Sequence, residues 1–348
     1  MPLTGVKLEN FTVFEKLEMD FSPGINVLIG PNGSGKTHLM KVLYSAIRAA
    51  RDNVRFSNKF HEKMFRCLLP DDGNISRLMR RESNAQETII SVTGKTANSN
   101  QDHSVHMNIY PDKMPIYNHS DEGNTFLWEQ MDDTKSIFIP AKEILSNTYK
   151  LNASVDVNHL AFDDTYLDVI NAAKIIALTE PMPEQKALLH RIEEITGGTV
   201  YYDERRDEFY LVRGDNQMEF SLVAEGIRKL ALLWQLIHNR HLVKGSILFW
   251  DEPEANITPS NIPLIVDTLL ELQRGGVQIF LATHDYFLPN YLEARRKETD
   301  KILYHSLYLS DHGAKAESGE HYRDLSHNPI LDTVVSVYEE EVDRAWND

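Results

Sequence analysis

The sequence predicts an α/β fold with a parallel-sheet core, an N-terminal antiparallel β part and a helical lobe. Residues 1–29 alternate apolar and polar positions and end in a short apolar run, INVLIG, which indicates an antiparallel ribbon that leads into a buried strand. Residues 36–50 then have helical periodicity. Over residues 224–297 strands and helices alternate, a pattern typical of a parallel, layered sheet.

The elements between and after these regions follow from the same patterns. Residues 51–82 are predicted to be helical and basic, and residues 96–104 form a polar loop. Residues 200–214, VYYDERRDEFYLVRG, predict a hairpin because a charged turn separates two β-rich runs. The other predicted strands are 88–92, 103–110, 114–117, 136–139, 246–250 and 277–283, and the other predicted helices are 164–178, 183–197, 224–239, 261–276, 286–297 and 338–348.

The composition is that of an ordinary globular protein. Of 348 residues, 42% are hydrophobic and 25% are charged. No apolar run is long enough to span a membrane, and the charged N-terminus lacks the apolar run of a secretory signal. We therefore expect a cytoplasmic protein with no membrane partner. The single cysteine, Cys67, excludes an intramolecular disulfide and a cysteine-based zinc site.

The charge of the chain bears on nucleic acid as a partner. A net charge of −16 disfavours a dedicated DNA or RNA binder, because phosphate neutralisation supplies most non-specific affinity. One basic stretch leaves DNA binding open, and its alternative interpretation is a solvated helix face. The members of this stretch are Arg48, Arg51, Arg55, Lys59, Lys63 and Arg66, followed by Arg77, Arg80 and Arg81.

A glycine-rich motif, GPNGSGKT, lies between the first predicted buried strand and its helix and fits the pattern G-x-x-x-x-G-K-[ST]. Its backbone N–H groups can curl around phosphate oxygens, Lys36 can reach the β- and γ-phosphates, and the Thr37 hydroxyl can bind Mg²⁺. The alternative is a glycine turn without a ligand. The candidate ATP-binding residues are Gly30, Pro31, Asn32, Gly33, Ser34, Gly35, Lys36 and Thr37.

Two further motifs follow later predicted strands. In ILFWDEPEAN, the apolar strand ends at Asp251, which we expect beside the Mg²⁺, and the next residue, Glu252, can act as general base toward water. An acidic turn after a core strand is the alternative. In LATHDYF, His284 ends another predicted strand and can hydrogen-bond the γ-phosphate, although a histidine at a strand end is more often structural.

In this order, GPNGSGKT, DEPEAN and THD resemble the nucleotide-binding heads of ABC ATPases, within the SMC, RecF and OLD branch. ABC transporters usually carry another sequence after the Walker B glutamate. The resemblance covers about the first 45 residues and roughly residues 220–300 well, and the middle weakly. It implies an ABC-ATPase head that forms a homodimer, or a higher even oligomer, with two ATP molecules between subunits.

The resemblance also implies a signature motif that completes the partner subunit's site. The candidate is SLVAEGIRKLALL, in which Glu225 and Gly226 begin a helix and Ala224 stands where the family has a serine. The contact to the partner's nucleotide would then come from backbone amides, helped by Ser221 or Lys229. This departure implies slow hydrolysis, whereas ATP binding is expected to be unaffected.

The motifs VAEGIRK, FWDEPEAN and ATHDYF look most similar to the small ATPases of bacterial anti-phage systems, of the Septu and retron-associated type. SIFIPAKEIL resembles the junction between the two lobes of that group. ABC enzymes carry a glutamine there that senses Mg²⁺, and we expect Glu143 as its substitute. In such systems the ATPase controls a separately encoded nuclease or toxin, so such a partner is expected here.

The expected organisation is a single domain over 1–348 with a helical lobe that carries the signature motif. Neither the heptad-patterned insertion of SMC proteins nor an appended nuclease domain is recognised, so no nuclease activity is expected. The expected function is an ATPase that switches a partner protein according to its nucleotide state. The alternatives are a RecF-like clamp on DNA and a nucleotide-gated scaffold with little turnover. The expected parts are a nucleotide-binding core at 1–50 and 220–310, a variable β/helical insertion at 51–142, a helical lobe with a hairpin at 143–219 and a C-terminal segment at 311–348.

Overall fold

A computed structural model describes residues 2–51, 56–81, 85–95, 102–111, 113–119, 134–158, 160–175 and 181–347. The strands in these ranges are β1 Leu3–Phe11, β2 Phe14–Asp20, β3 Ile25–Ile29, β4 Thr88–Lys95, β5 Asp102–Tyr110, β6 Lys113–His119, β7 Ser136–Ile139, β8 Thr199–Asp203, β9 Glu208–Arg213, β10 Asn216–Glu219, β11 Ile247–Asp251, β12 Gln278–Ala282, β13 Ile302–Ser310 and β14 Gly313–Gly319. The helices are α1 Lys36–Arg51, α2 Phe56–Leu68, α3 Leu151–Asn158, α4 Asp164–Lys174, α5 Pro183–Thr196, α6 Glu225–His238, α7 Ile262–Arg274, α8 Phe287–Arg295 and α9 Pro329–Asn347.

One large mixed sheet organises the described part of the chain. Its strand order is β6-β5-β4-β1-β2-β14-β13-β3-β12-β11-β7. The strands β13, β3, β12, β11 and β7 pair in parallel, whereas the strands from β14 to β6 pair antiparallel. The parallel strands β3, β11 and β12 therefore end at one edge, where the three sequence motifs begin.

The central strands are buried on both faces, which explains their continuous apolar sequences. Alternate residues of β3, β11 and β12 face two separate clusters of apolar side chains, one packed with α1 and α2 and the other with α4 to α8. Phe249 lies in the first cluster, where its ring stacks on Phe280 at 5.0 Å and on Phe138 at 6.1 Å between centroids. The result is a sheet covered by helices on each face.

A second, three-stranded sheet belongs to the helical lobe. Its order is β10-β9-β8, and all its pairs are antiparallel. Phe209 and Leu211 of β9 point into the same apolar cluster as helices α5 and α6. The lobe therefore packs directly on the helix that carries the signature motif.

The predicted fold class is confirmed: this is an α/β fold with a parallel core, an antiparallel part and a helical lobe. The sequence patterns missed β13 and β14, which join the two halves of the large sheet. The helical region predicted over 51–82 is too long, because α2 ends at Leu68, where Leu69 has a φ of 47° and Pro70 follows, and residues 69–81 form loops and short 3₁₀ turns. Residues 52–55 and 82, and most of the predicted loop 96–104, lie outside the described residues. None of the helices described is long and apolar enough to cross a membrane. The division of the chain into four parts stays a prediction.

Candidate active site

The glycine loop between β3 and α1 can only be built with glycines at its tight positions. Gly30 has a φ of 144° and Gly35 a φ of 91°, which other residues rarely adopt. A Cβ atom on Gly30 would lie 2.1 Å from the carbonyl oxygen of Leu307, and one on Gly35 would lie 2.4 Å from the ring of Phe14. The loop is thus held closely between neighbouring strands, with the N-terminus of α1 at its end.

The buried polar groups of this loop suit a phosphate chain. The Lys36 ammonium donates hydrogen bonds to the carbonyl oxygens of Gly30 at 2.8 Å and Pro31 at 3.0 Å. Burial lowers the pKa of Lys36 to about 8. The buried Ser34 hydroxyl has no hydrogen-bond partner among the described residues. Glycine N–H groups, a lysine and an unsatisfied hydroxyl at a helix N-terminus form a set of donors that fits phosphate oxygens.

The next two groups are oxygen donors brought together from distant segments. The Thr37 hydroxyl, on the first turn of α1, donates to the Asp251 carboxylate at 2.9 Å. Asp251 ends β11 and is 8% exposed, and burial raises its pKa. A hydroxyl and a carboxylate at this distance are the kind of oxygen ligands that Mg²⁺ prefers. The residues present therefore fit the expected metal.

Glu252 and His284 face each other across the same edge of the sheet. Glu252 has a φ of 48°, in the left-handed region, and its N–H donates to the carbonyl oxygen of Ala282 at 2.9 Å. The His284 Nε2 atom lies 3.6 Å from a Glu252 carboxylate oxygen. Burial, followed by the charge of Lys36, lowers the pKa of His284, which favours the neutral imidazole at neutral pH.

These residues line one cleft of about 280 Å³. Most of these lining residues belong to the motifs predicted from the sequence, and the structure brings them together. Val13 and His38 also line the cleft and were missed, because neither belongs to a recognised motif. The lining residues are Val13, Asn32, Gly33, Gly35, Lys36, Thr37, His38, Asp251, Glu252 and His284.

A second cavity of about 570 Å³ adjoins this cleft and shares Val13 and His38 with it. Three arginines that the sequence analysis counted in the basic stretch line this cavity: Arg77, Arg80 and Arg81. Arg80 also donates to the carbonyl oxygen of Val13 at 2.9 Å. The three arginines therefore place positive charge next to the candidate site.

Glu254 was given no role by the sequence analysis, but it holds the loop that carries His284. Its Oε1 atom accepts hydrogen bonds from the Thr283 hydroxyl at 2.7 Å and from the His284 N–H at 3.2 Å. Burial raises the pKa of Glu254 to about 7. A second glutamate two positions after Glu252 in the DEPEAN motif is the sequence signal that could have indicated it.

The signature helix α6 packs, within one chain, against the loop that follows β11 and carries the DEPEAN motif. A Cβ atom on Gly226 would lie 2.3 Å from the carbonyl oxygen of Asn256, so the contact requires glycine. The N-terminus of α6 has no side-chain cap, because Ala224 stands at that position. Glu225 and Gly226 lie outside the lining of the cleft, and Ser221 is exposed.

The expectation that Lys229 helps a partner's site is not supported. Lys229 is 1% exposed, and its ammonium donates to the carbonyl oxygen of Glu252 at 3.1 Å in its own chain. Burial lowers its pKa. The physical reason is helical periodicity, which turns this position of α6 toward the sheet.

The expectation for Glu143 also needs correction. Its side chain is fully buried, and one carboxylate oxygen accepts from the Arg228 guanidinium at 2.5 Å and from the Ser146 hydroxyl at 3.0 Å. The other oxygen accepts from the backbone N–H groups of Leu145 and Ser146. Both oxygens are engaged and Glu143 is not among the residues that line the cleft, so Glu143 links the lobe junction to α6 instead of replacing the expected glutamine.

The basic stretch of α1 and α2 is neutralised by helix α4. The Lys63 ammonium lies 2.7 Å from Asp164 and 2.6 Å from Asp168. The Arg66 guanidinium lies 2.9 Å from Asp164, and the Arg48 guanidinium lies 3.4 Å from Asp168. Arg48, Lys63 and Arg66 therefore belong to an interhelical network of ion pairs. Arg55 and the side chain of Arg51 lie outside the described residues.

Curated proteins match this chain over a limited stretch. The DNA replication and repair protein RecF of Bacillus mycoides is 40% identical over 103 residues, 29% of this chain and 26% of the relative. RecF of Oenococcus oeni is 47% identical over 55 residues, 15% of each chain. The chain therefore covers about a quarter or less of the length of these curated relatives.

Solved structures match over nearly the whole chain. An SMC head bound to the C-terminal winged-helix domain of ScpA has a TM-score of 0.60 at 13% identity, covering 91% of this chain and 97% of the other. The SMC head domain of Thermotoga maritima has a TM-score of 0.52 at 13% identity, covering 92% and 99%. At this identity the likeness concerns the fold, which is that of an SMC head.

Two family models match the chain. The first is described as an AAA domain, putative AbiEii toxin, Type IV TA system, and matches residues 117–288. The second is described as an AAA ATPase domain and matches residues 1–195, more than half of the chain. Together with the glycine loop and the fold, this match gives the conclusion that the chain belongs to the AAA ATPase domain family and is an ABC-type P-loop ATPase of the SMC and RecF kind.

Proposed function

We propose that this protein binds ATP with Mg²⁺ in the described cleft and hydrolyses it, and that the nucleotide state switches a partner protein. The observation that carries the enzymatic part is the convergence of Lys36, Thr37, Asp251, Glu252 and His284 at one edge of the parallel sheet. These residues come from three separate segments, and their chemistry is that required for phosphoryl transfer to water.

Each group has a defined role in this proposal. The glycine loop and Lys36 bind the phosphates, while Thr37 and Asp251 hold the Mg²⁺, whose charge would offset that of the phosphate oxygens. Glu252 orients the attacking water and accepts its proton, and neutral His284 donates a hydrogen bond toward the γ-phosphate. Glu254 keeps His284 in place through the two hydrogen bonds that it accepts.

The proposed active unit is a dimer in which each subunit completes the other's site. The start of α6, with Glu225 and Gly226, lies outside the cleft of its own chain, which supports a contact with the nucleotide of the other subunit. Without a serine at position 224, that contact would come from the N–H groups of the first turn of α6. Hydrolysis is then expected to be slow relative to ATP binding.

Two substitutions test the enzymatic proposal. Lys36→Ala is expected to abolish ATP binding, because it removes the only charge of the glycine loop. Glu252→Gln is expected to keep ATP binding and to lower turnover by about 10²-fold or more, since general-base catalysis contributes about this amount. Equilibrium binding of a fluorescent ATP analogue and phosphate release measure the two effects. Turnover of Glu252→Gln equal to that of the wild type would refute the assignment of the base.

The partner is proposed to be a separately encoded nuclease or toxin in bacterial anti-phage defence. The similarity of VAEGIRK, FWDEPEAN and ATHDYF to such ATPases supports this proposal. One matching family model, described as a putative AbiEii toxin of a Type IV TA system, also supports it. A ligand shifts such a switch only through different affinities for its two states, so ATP must change the affinity for the partner. A tagged Glu252→Gln protein, expressed with its native neighbouring genes, should retain a stoichiometric effector with ATP present.

A RecF-like clamp on DNA is the second candidate function. The local identity with RecF proteins favours it. The net charge of −16 and the ion pairs between α2 and α4 disfavour it, since non-specific DNA binding depends on accessible positive charge. ATP-dependent binding of duplex DNA that weakens steeply with salt would decide for this function. Recovery of the Glu252→Gln protein with DNA and without an effector would point the same way.

A further inference from the structure

The first turn of the C-terminal helix α9 is packed against the rest of the protein. Ile330 and Leu331 pack against the apolar core, and the Asn328 side chain accepts a hydrogen bond from the Leu331 N–H at 3.2 Å. From residue 332 to residue 346 every side chain is exposed, except for Val342, which is half-buried. This exposed part extends about 22 Å at the usual rise of an α-helix.

An apolar stripe runs along α9 from Leu331 in the anchored turn through the exposed part of the helix. At about 100° per residue, seven side chains fall within about a third of the helix circumference. Three of them are strongly exposed: Val335 at 54%, Tyr338 at 65% and Trp346 at 84%. The stripe, which we call the α9 stripe, consists of Leu331, Val334, Val335, Tyr338, Val342, Ala345 and Trp346.

An uncovered helix of this length is only marginally stable in water, and its stability ordinarily comes from packing of its apolar face. A stripe of large exposed side chains along one face is a feature of helices that bind in a groove or against another helix. The spacing of Leu331, Val335, Tyr338, Val342 and Ala345, alternately four and three residues, is that of a helix–helix seam.

The charges beside the stripe restrict what can cover it. Asp332 and Glu339 flank one side of the stripe and Glu341 flanks the other, and the helix carries five acidic residues and one arginine. A second copy of the helix, in either direction, would bring acidic flanks together, which is unfavourable. Nucleic acids and anionic membranes would be repelled for the same reason.

We propose that the α9 stripe is the docking site for a partner protein that presents an apolar groove or helix flanked by lysine and arginine. The apolar side chains would supply the buried area, and the acidic flanks would select the basic rim and fix the register. This inference deepens the proposed switch by naming the surface through which a partner would bind. It rests on that proposal for the existence of a partner, but not on ATP turnover.

The first test uses the full chain and a synthetic probe. The probe is a fluorescently labelled amphipathic peptide of about three heptads with leucine at the seam and lysine on both flanks. The control peptide has the same leucine seam but carries glutamate on both flanks. We expect the protein to bind the lysine peptide and to discriminate against the glutamate peptide by about tenfold or more at physiological salt.

Matched variants of the protein locate the binding. Val335→Ala combined with Tyr338→Ala shortens the stripe and is expected to weaken binding of the lysine peptide by about tenfold or more, as truncation of anchor residues does. Val337→Ala is the control, because Val337 is exposed to 52% but lies off the stripe. Equal affinity of all three proteins, or equal binding of both peptides, would overturn the inference. Far-ultraviolet circular dichroism checks that alanine leaves α9 helical.

The second test combines two measurements: co-purification of an effector expressed from the native neighbouring genes, and the mass of the protein in sedimentation. The effector co-purified with the wild type should be lost with Val335→Ala/Tyr338→Ala and kept with Val337→Ala. A doubling of mass in sedimentation without nucleotide, abolished by the double variant alone, would show a second copy on the stripe and overturn the choice of partner. ATP turnover of the double variant should equal that of the wild type. If the wild type hydrolysed no ATP but still bound the lysine peptide more tightly than the glutamate peptide, the ATPase proposal would be refuted and this inference would stand.

Discussion

The contact between Glu143 and Arg228 offers a quantitative test of the structure. Arg228→Met removes the guanidinium and keeps much of the side-chain volume. In the wild type this guanidinium lies 2.5 Å from the Glu143 carboxylate and also donates to the carbonyl oxygen of Phe220 at 3.1 Å. The side chain of Glu143 is 0% exposed and that of Arg228 is 15% exposed. The substitution therefore leaves a carboxylate buried without its counter-charge.

The expected loss of stability follows from this burial. Removing one partner of a buried ion pair costs about 3–5 kcal/mol. Glu143 still accepts hydrogen bonds from the N–H groups of Leu145 and Ser146 and from the Ser146 hydroxyl, which partly compensate. We therefore expect a loss near the lower end, about 3 kcal/mol. In the double variant Glu143→Gln/Arg228→Met the charge is absent, and a smaller loss of about 1–2 kcal/mol is expected.

Urea unfolding followed by circular dichroism measures these losses. Arg206→Met is the control, because the Arg206 side chain is 68% exposed and lies 3.9 Å from Asp203, and exposed ion pairs contribute little to stability. A loss below about 1 kcal/mol for Arg228→Met would refute the reasoning. A double variant that is less stable than Arg228→Met would also refute the reasoning. If Glu143 instead sensed Mg²⁺, Glu143→Gln would alter the Mg²⁺ dependence of turnover without affecting stability.

Two other predictions concern His305 and Glu254. Burial lowers the pKa of His305 to about 3, whereas its pKa in the unfolded chain is about 6.5. As the pH falls, this histidine is therefore protonated in the unfolded state before it is protonated in the folded state. Its contribution to the free energy of unfolding is complete above about pH 6.5 and is lost progressively as the pH falls toward 3. Between about pH 7 and pH 5 the wild type should lose about 2 kcal/mol more than His305→Gln, measured by urea unfolding, and parallel pH profiles would contradict this. Glu254→Ala should lower ATP turnover about tenfold or more with ATP binding retained, because the Thr283 hydroxyl and the His284 N–H lose their acceptor. Glu254→Gln keeps an acceptor oxygen and should retain most turnover, so an Ala variant as active as the Gln variant would contradict the positioning role.

Much of the fold and of the candidate site could be predicted because the signals are local. The apolar runs of β3, β11 and β12 identify buried parallel strands, and the chemical residues follow directly after them in the chain. Since parallel strands end at one edge of a sheet, Thr37, Asp251, Glu252 and His284 were expected to lie together. The strands β13 and β14 were missed because their pairing with β3 and β2 depends on segments about 300 residues away.

The sequence by itself determined the glycine loop, the order of the strands that end in acidic and histidine residues, and the family. Only the tertiary structure decided which charges meet. Lys63 and Arg66 are neutralised by Asp164, roughly a hundred residues later, and Glu143 is engaged by Arg228. A local pattern shows the type and direction of a side chain, but the strength of an ionic interaction depends on separation and burial, which long-range packing establishes.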